Sequence, residues 1–214
     1  MKNRITLASL GITAVALWII GLVTSQTLTS SIPHKPTDAQ LLTWVQGNKN
    51  PIILGSFLFM LGCIVLVLFA GLLRKRLAAA EGGDGTLSTF AYTGAVMMAV
   101  CGMLGQTDLV SAINADSISA ASAGAFHHLG DMGFVAAELS LSVFFGSVAV
   151  LAFRGAVLPR WWAALTGVVA VVAIVGPIGW AALVWGFPVW MLVTPWLVGR
   201  TARRRAASTV TAAA

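Results

Sequence analysis

The chain has 214 residues, of which 58% are hydrophobic and only 9% charged, against about 25% charged in an ordinary soluble domain. That balance excludes a water-soluble fold and points to an all-α integral membrane protein, a helical bundle forming one domain over residues 1–214. The formal charge of +6 comes from few residues, and in so apolar a chain it reports membrane orientation rather than nucleic-acid binding.

Six apolar stretches lie in chain order at about 5–25, 51–73, 87–106, 126–153, 161–177 and 180–199. A span needs about 20 apolar residues, so the first four are long enough and the last two are short. Taken as one helix, Trp161 to Gly199 would run about 58 Å, far beyond a hydrocarbon core of about 30 Å. It must break, and "GPIG" at 176–179 is the expected place.

Cytoplasmic loops collect Lys and Arg. Six transmembrane segments with the N-terminus inside put Lys2, Arg4, Arg74, Lys75, Arg76, Arg154, Arg160, Arg200, Arg203, Arg204 and Arg205 inside, leaving only Lys35 and Lys49 outside. The rival is five spans with a kinked or re-entrant last segment, which strands the C-terminal arginines outside. The opening "MKNR" and its apolar run have the outline of a signal peptide. The run exceeds the usual length of about 7 to 15 residues, however, and no A-x-A site comes after it, so a retained first span is expected.

The outer loop 26–50 contains "PTDAQLLTWVQ", where Thr37 and Gln40 form a capping-box pattern and Leu41, Leu42, Trp44 and Val45 recur at helical spacing. A short amphipathic helix on the outer interface is expected, anchored by Trp44 or acting as a lid over an outward cavity. The inner connection turns on Gly82, Gly83 and Gly85 and restarts near Thr86, with Glu81 and Asp84 solvated. The tail 200–214 reads as flexible and basic, close to anionic lipid. Cys63 and Cys101 lie in apolar segments and read as small core residues. Trp161 and Trp162 read as interfacial belt residues. No nucleotide loop, HExxH, GxSxG or Ser/His/Asp pattern is present, which weighs against the commoner hydrolase and nucleotide-driven classes.

The remaining ionisable groups are few and centre on "FHHLGDMGFVAAELS", residues 126–140. A charged carboxylate at a helix centre costs at least about 2.5 kcal/mol, so such a group is protonated, paired or beside a wet cavity. Asp131 and Glu138 are seven residues apart, within about 20° on one face and roughly 10.5 Å apart along the axis. The same stripe carries His127, Phe134 and Ser142. Asp108 arrives at the outer end of the third span, close in depth to Asp131 if the two spans lie antiparallel, and Asp116 reads as a helix N-cap. His127, Asp131 and Asp108 offer up to three metal ligands, but no spacing demands an ion, and neither metal nor cofactor is expected. Of Trp180, Trp185, Trp190 and Trp196, some must face the interior, where they would line an apolar pocket or stabilise a cation.

Two resemblances bear on function. The segments "RLAAAEGGDGTLSTFAYTGAV", "PTDAQLLTWVQGNKN" and "GAVLPRWWAALTGVVA" resemble those of small, functionally uncharacterised actinobacterial multi-pass membrane proteins, which implies no activity. More loosely, the size, the outward carboxylates and the wealth of tryptophan are similar to bacterial membrane-bound terpene cyclases. That likeness implies an enzyme of the cell membrane acting on a hydrophobic, prenylated small molecule. Glu138, Asp131 and Asp108 would then be the catalytic set, a neutral carboxyl protonating an alkene or epoxide, with His127, Phe134, Trp44, Trp180 and Trp185 around the substrate. The expected partners are that substrate and membrane lipid, with no nucleic acid and the oligomeric state open. The alternatives are a proton-coupled transporter using the same stripe as a relay, or a structural or accessory membrane subunit.

Overall fold

The computed structural model describes residues 2–29, 31–32, 35–155 and 158–212, which form helices joined by short turns. Helix α1 (Lys2–Thr27) leads through the outer loop to α2 (Asp38–Gly47), and α3 (Lys49–Glu81) returns to the opposite end. Next come α4 (Thr86–Leu104), the short α5 (Asp108–Ile113) and the long α6 (Ala120–Gly155). The chain closes with α7 (Arg160–Val172), α8 (Gly176–Ala181), a π-helical turn (Ala182–Gly186) and α9 (Phe187–Ala212).

Among the described residues, five segments are long and apolar enough to cross a membrane: Leu7–Ser25, Lys49–Glu81, Thr86–Ile113, Ala120–Arg154 and Ile178–Thr201. The fifth expected span, 161–177, stops at Val172, and 13 residues reach only roughly 20 Å. The break falls at 173–175, just ahead of "GPIG", because Pro177 stands at the start of α8, where its missing N–H and fixed φ are tolerated. Helix α9 continues to Ala212, into the basic tail. Its alanines and arginines are strong helix formers.

Glycine lets the backbones meet. A Cβ at Gly21 would lie 2.7 Å from the Gly55 carbonyl oxygen, and one at Gly55 would lie 2.7 Å from the Gly21 oxygen and the Ser25 nitrogen. Helices α1 and α3 therefore touch through main chain, the small-residue packing that lipid favours because burying apolar side chains gains little there. Gly94 does the same for α4 against α6, where a Cβ would meet the Phe144 nitrogen at 2.6 Å. Deeper in, Phe144 and Phe145 of α6 meet Phe187 and Trp190 of α9 edge-on, with ring centroids 5.1–6.1 Å apart.

The hairpin of α7 and α9 is fastened by buried hydroxyls. Trp162 Nε1 donates to Thr194 Oγ1 and Trp190 Nε1 to Thr166 Oγ1, both at 2.9 Å, while the Thr166 hydroxyl donates to the Trp162 carbonyl at 2.7 Å. Trp162 is thus a buried fastener rather than a belt residue. Its neighbour Trp161, about 100° round the helix, is exposed as the belt reading expects.

At the ends, local chemistry behaves as the sequence suggests. Thr37 accepts from the Gln40 backbone N–H at 3.3 Å, and Gln40 Oε1 accepts from the Thr37 N–H at 2.8 Å, closing the capping box of α2. Leu41 and Val45 are buried, and Val45 forms a second small core with Ile52, Ala112 and Ala115. That core is what the buried face of α2 covers. Gly82 and Gly85 take φ of 68° and 76°, the left-handed region where only glycine is unstrained. Glu81 is not merely solvated, because it accepts from the Leu87 and Ser88 N–H groups at 2.8 and 3.0 Å and caps α4. The Thr86 hydroxyl and N–H beside Asp84 hold its carboxyl below the usual carboxylate range.

Replacing Thr166 by valine keeps the shape but leaves the Trp190 N–H unpaired. This change should lower stability by about 1–3 kcal/mol, seen as a lower melting temperature in detergent with helical content retained.

Candidate functional site

Glu138 lies on the inward face of α6 and is 5% exposed. Among the described residues it has neither a hydrogen bond nor an ion pair. Its carboxyl rests on the tip of the α7–α9 hairpin, where a Cβ on Gly179 would lie 2.7 Å from Glu138 Oε2 and 3.0 Å from the Ala173 carbonyl oxygen. Any larger residue at 179 would occupy the carboxyl's place. Glu138 is sixteen residues from Arg154, roughly 24 Å along the axis.

Asp131 does not share that burial. Its side chain is 68% exposed, and its nearest partner is His128 Nδ1 at 3.9 Å. The helical wheel is not at fault, since the two acids are still within about 20° of one another. The difference is coverage: the hairpin tip reaches Glu138 and stops, and Asp131 stands above it in the open.

The expected approach of Asp108 to Asp131 is replaced by a different pair. Asp108 Oδ2 lies 3.0 Å from His127 Nδ1, with both side chains largely shielded, at 25% and 20% exposure. Alongside, the Thr107 hydroxyl donates to the Phe126 carbonyl. Together these fasten the start of α5 to α6. Asp116 is not an N-cap: it pairs with Lys49 at 3.2 Å, and Ser119 Oγ caps α6 by accepting from the Ser122 N–H. Among the described residues no group of three His, Cys, Asp or Glu is placed to hold a metal.

The tryptophans also divide differently from expectation. Trp180 and Trp185 are 49% and 65% exposed and face outward, so neither lines an interior pocket. Trp44 is half-buried against the small outer core. The interior aromatic surface comes instead from Trp18, Phe59 and Phe187, which with Phe134, Ala137 and Cys63 line an apolar cavity between α1, α3, α4, α6 and α9. Its volume is about 10 Å³, near the lower limit for one water. Glu138 is not in its wall, although Phe134 and Ala137 precede it by four residues and one. The Trp18 Nε1–H is buried with no hydrogen-bond partner among the described residues.

Sequence reasoning missed Gly179 and Trp18. The first sat in view inside "GPIG", but its role depends on which residue of another helix arrives opposite. The second had no local signal, being one tryptophan in an apolar span. No protein-family model, curated protein or solved structure matches the chain. Fold and site together define an all-α bundle with helices apolar enough to span a membrane, in which the carboxyl of Glu138 is buried opposite a helix break with no hydrogen bond or ion pair among the described residues.

Two outcomes are expected for stability. Gly179→Ala should cost about 1–3 kcal/mol by overpacking, and in a double-mutant cycle that cost should shrink when Glu138 is also alanine, as read from melting in detergent. Asp108→Asn should cost about 1 kcal/mol, a part-exposed charged hydrogen bond being discounted for solvent, with faster amide exchange confined to α5 and the outer end of α6.

Proposed function

We propose that the protein is a small proton-coupled carrier of the cell membrane, in which Glu138 takes up and releases the proton and the broken α7–α9 hairpin is the moving part. The observation that carries this reading is the carboxyl of Glu138, buried without a partner against the Gly179 tip. Unpaired charge there is costly, so the neutral acid suits the closed form and the carboxylate suits a form in which the tip has moved away. Gly- and Pro-interrupted helices ending at mid-membrane are the usual place for such coupling. Asp131, exposed roughly 10.5 Å further out on the same face, supports proton entry from the outer side. The cavity beside Phe134 and Trp18 is apolar but holds about one water in this form, so a hydrophobic solute would enter only once the tip has moved away.

A terpene cyclase remains the second reading, favoured by the aromatic lining of that cavity. It requires Glu138 to face a chamber large enough for a prenyl chain, whereas this cavity holds about one water and the acid lies outside its wall. Proteoliposomes carrying a trapped pH-sensitive dye distinguish the two. Hydrophobic amines and neutral terpenoids added outside should include solutes that drive a change of internal pH. In Glu138→Gln, reconstituted to the same density, that change should fall to the level of protein-free vesicles. Turnover of a prenyl substrate by the wild type, with no solute producing a pH change, would replace the carrier by the cyclase.

A further inference from the structure

At the basic end of the bundle, away from Glu138, a groove of about 530 Å³ runs between α3 and α4. Its floor and apolar wall are Gly71, Leu68, Leu72 and Tyr92, and its mouth carries Arg74 and Lys75. Both cations are exposed, and neither forms an ion pair among the described residues. Arg74 is nevertheless held in position: Nη2 donates to Thr89 Oγ1 at 3.2 Å, and the guanidinium sits 5.8 Å from the centre of the Tyr92 ring. The nearest acids in the chain are already engaged, Glu81 with the Leu87 and Ser88 N–H groups and Asp84 with the Thr86 N–H.

We propose that this groove binds one anionic phospholipid of the surrounding leaflet, its phosphate held by Arg74 and Lys75 and one acyl chain lying along α3 over Gly71. The charge complement is one-sided, with two cations and no carboxylate, as a phosphodiester requires. The apolar wall continues downward from the cations through Leu68 to Ile64, both exposed, in the direction an acyl chain would take. Gly71 supplies the width, since a Cβ there would meet only Tyr92, at 3.8 Å. A free phosphate would use the cations and leave the channel below them empty, so the lipid is the occupant that accounts for both halves. This site is separate from Glu138 and stands whether or not the carrier reading holds.

The test uses the full chain in nanodiscs of phosphatidylcholine with a minor fraction of phosphatidylglycerol, with native mass spectrometry reading the lipids retained on release. The wild type should keep phosphatidylglycerol in preference to phosphatidylcholine. The double variant R74Q/K75Q should lose that preference by about fivefold for each cation removed, with phosphatidylcholine retention unchanged. Gly71→Leu should weaken it while leaving both cations in place. Melting curves identify any variant that fails to fold, and K75Q alone, at an exposed position, keeps the comparison available. Equal retention of the two lipids by the wild type, a double variant that behaves as wild type, full retention by Gly71→Leu, or displacement of the lipid by excess inorganic phosphate would each overturn the proposal.

Discussion

Helix α7 reaches roughly 20 Å into a hydrocarbon core of about 30 Å, and the unusual features of this bundle stem from that shortfall. A full-length helix would have covered α6 from end to end, burying Asp131 as well as Glu138. Instead the chain turns at 173–175, and the surface of α6 is divided into a covered stretch ending at Glu138 and an open one beginning above it. The turn is tolerated at that depth because its backbone stays paired, the N–H groups of Ala173, Ile174 and Val175 donating to the carbonyls of Val169, Val171 and Val172, while the apolar side chains of Ile174 and Val175 are exposed. Gly179 is the residue that lets the tip come to rest on a carboxyl, where a methyl group would have held it off.

Such a short hairpin cannot rely on apolar burial, because lipid competes equally well for its outer face. Two indole–threonine bonds take over, Trp162 with Thr194 and Trp190 with Thr166. They lie toward the Arg160 end, and among the described residues the Gly179 end has no comparable side-chain bond. The hairpin is therefore stiff at its base and held at its tip by packing.

How much of this was legible in the sequence depended on the distance over which each feature is determined. The Thr37–Gln40 box, the glycine turn at 82–85 and the break near Pro177 are decided by residues within one or two turns; the first two appear where they were expected, and the break falls just ahead of "GPIG". The burial of Trp162 but not Trp161 is decided by Thr194, 32 residues away. The partner of Asp108 is His127, rather than the aspartate one turn further on, because α5 docks at the very start of the α6 face. Asp131 and Glu138 share a wheel position, and only the length of a different helix separates them. Glu138 was recognisable as an anomaly from its sequence context, but the glycine beneath it was not.

The π-helical turn Ala182–Gly186 sits between the tip and the part of α9 fixed by Trp190. One π turn is equivalent to one surplus residue in an α-helix, a phase offset of about 100° between α8 before it and α9 after it. Here the offset keeps Leu183 and Phe187 buried while Trp185 faces out. It also sets the angle at which Gly179 is presented to α6. A one-residue deletion in this turn would leave both flanking helices intact yet swing the glycine off the carboxyl, so the spacing of the chain, as much as any side chain, sets where that acid is covered.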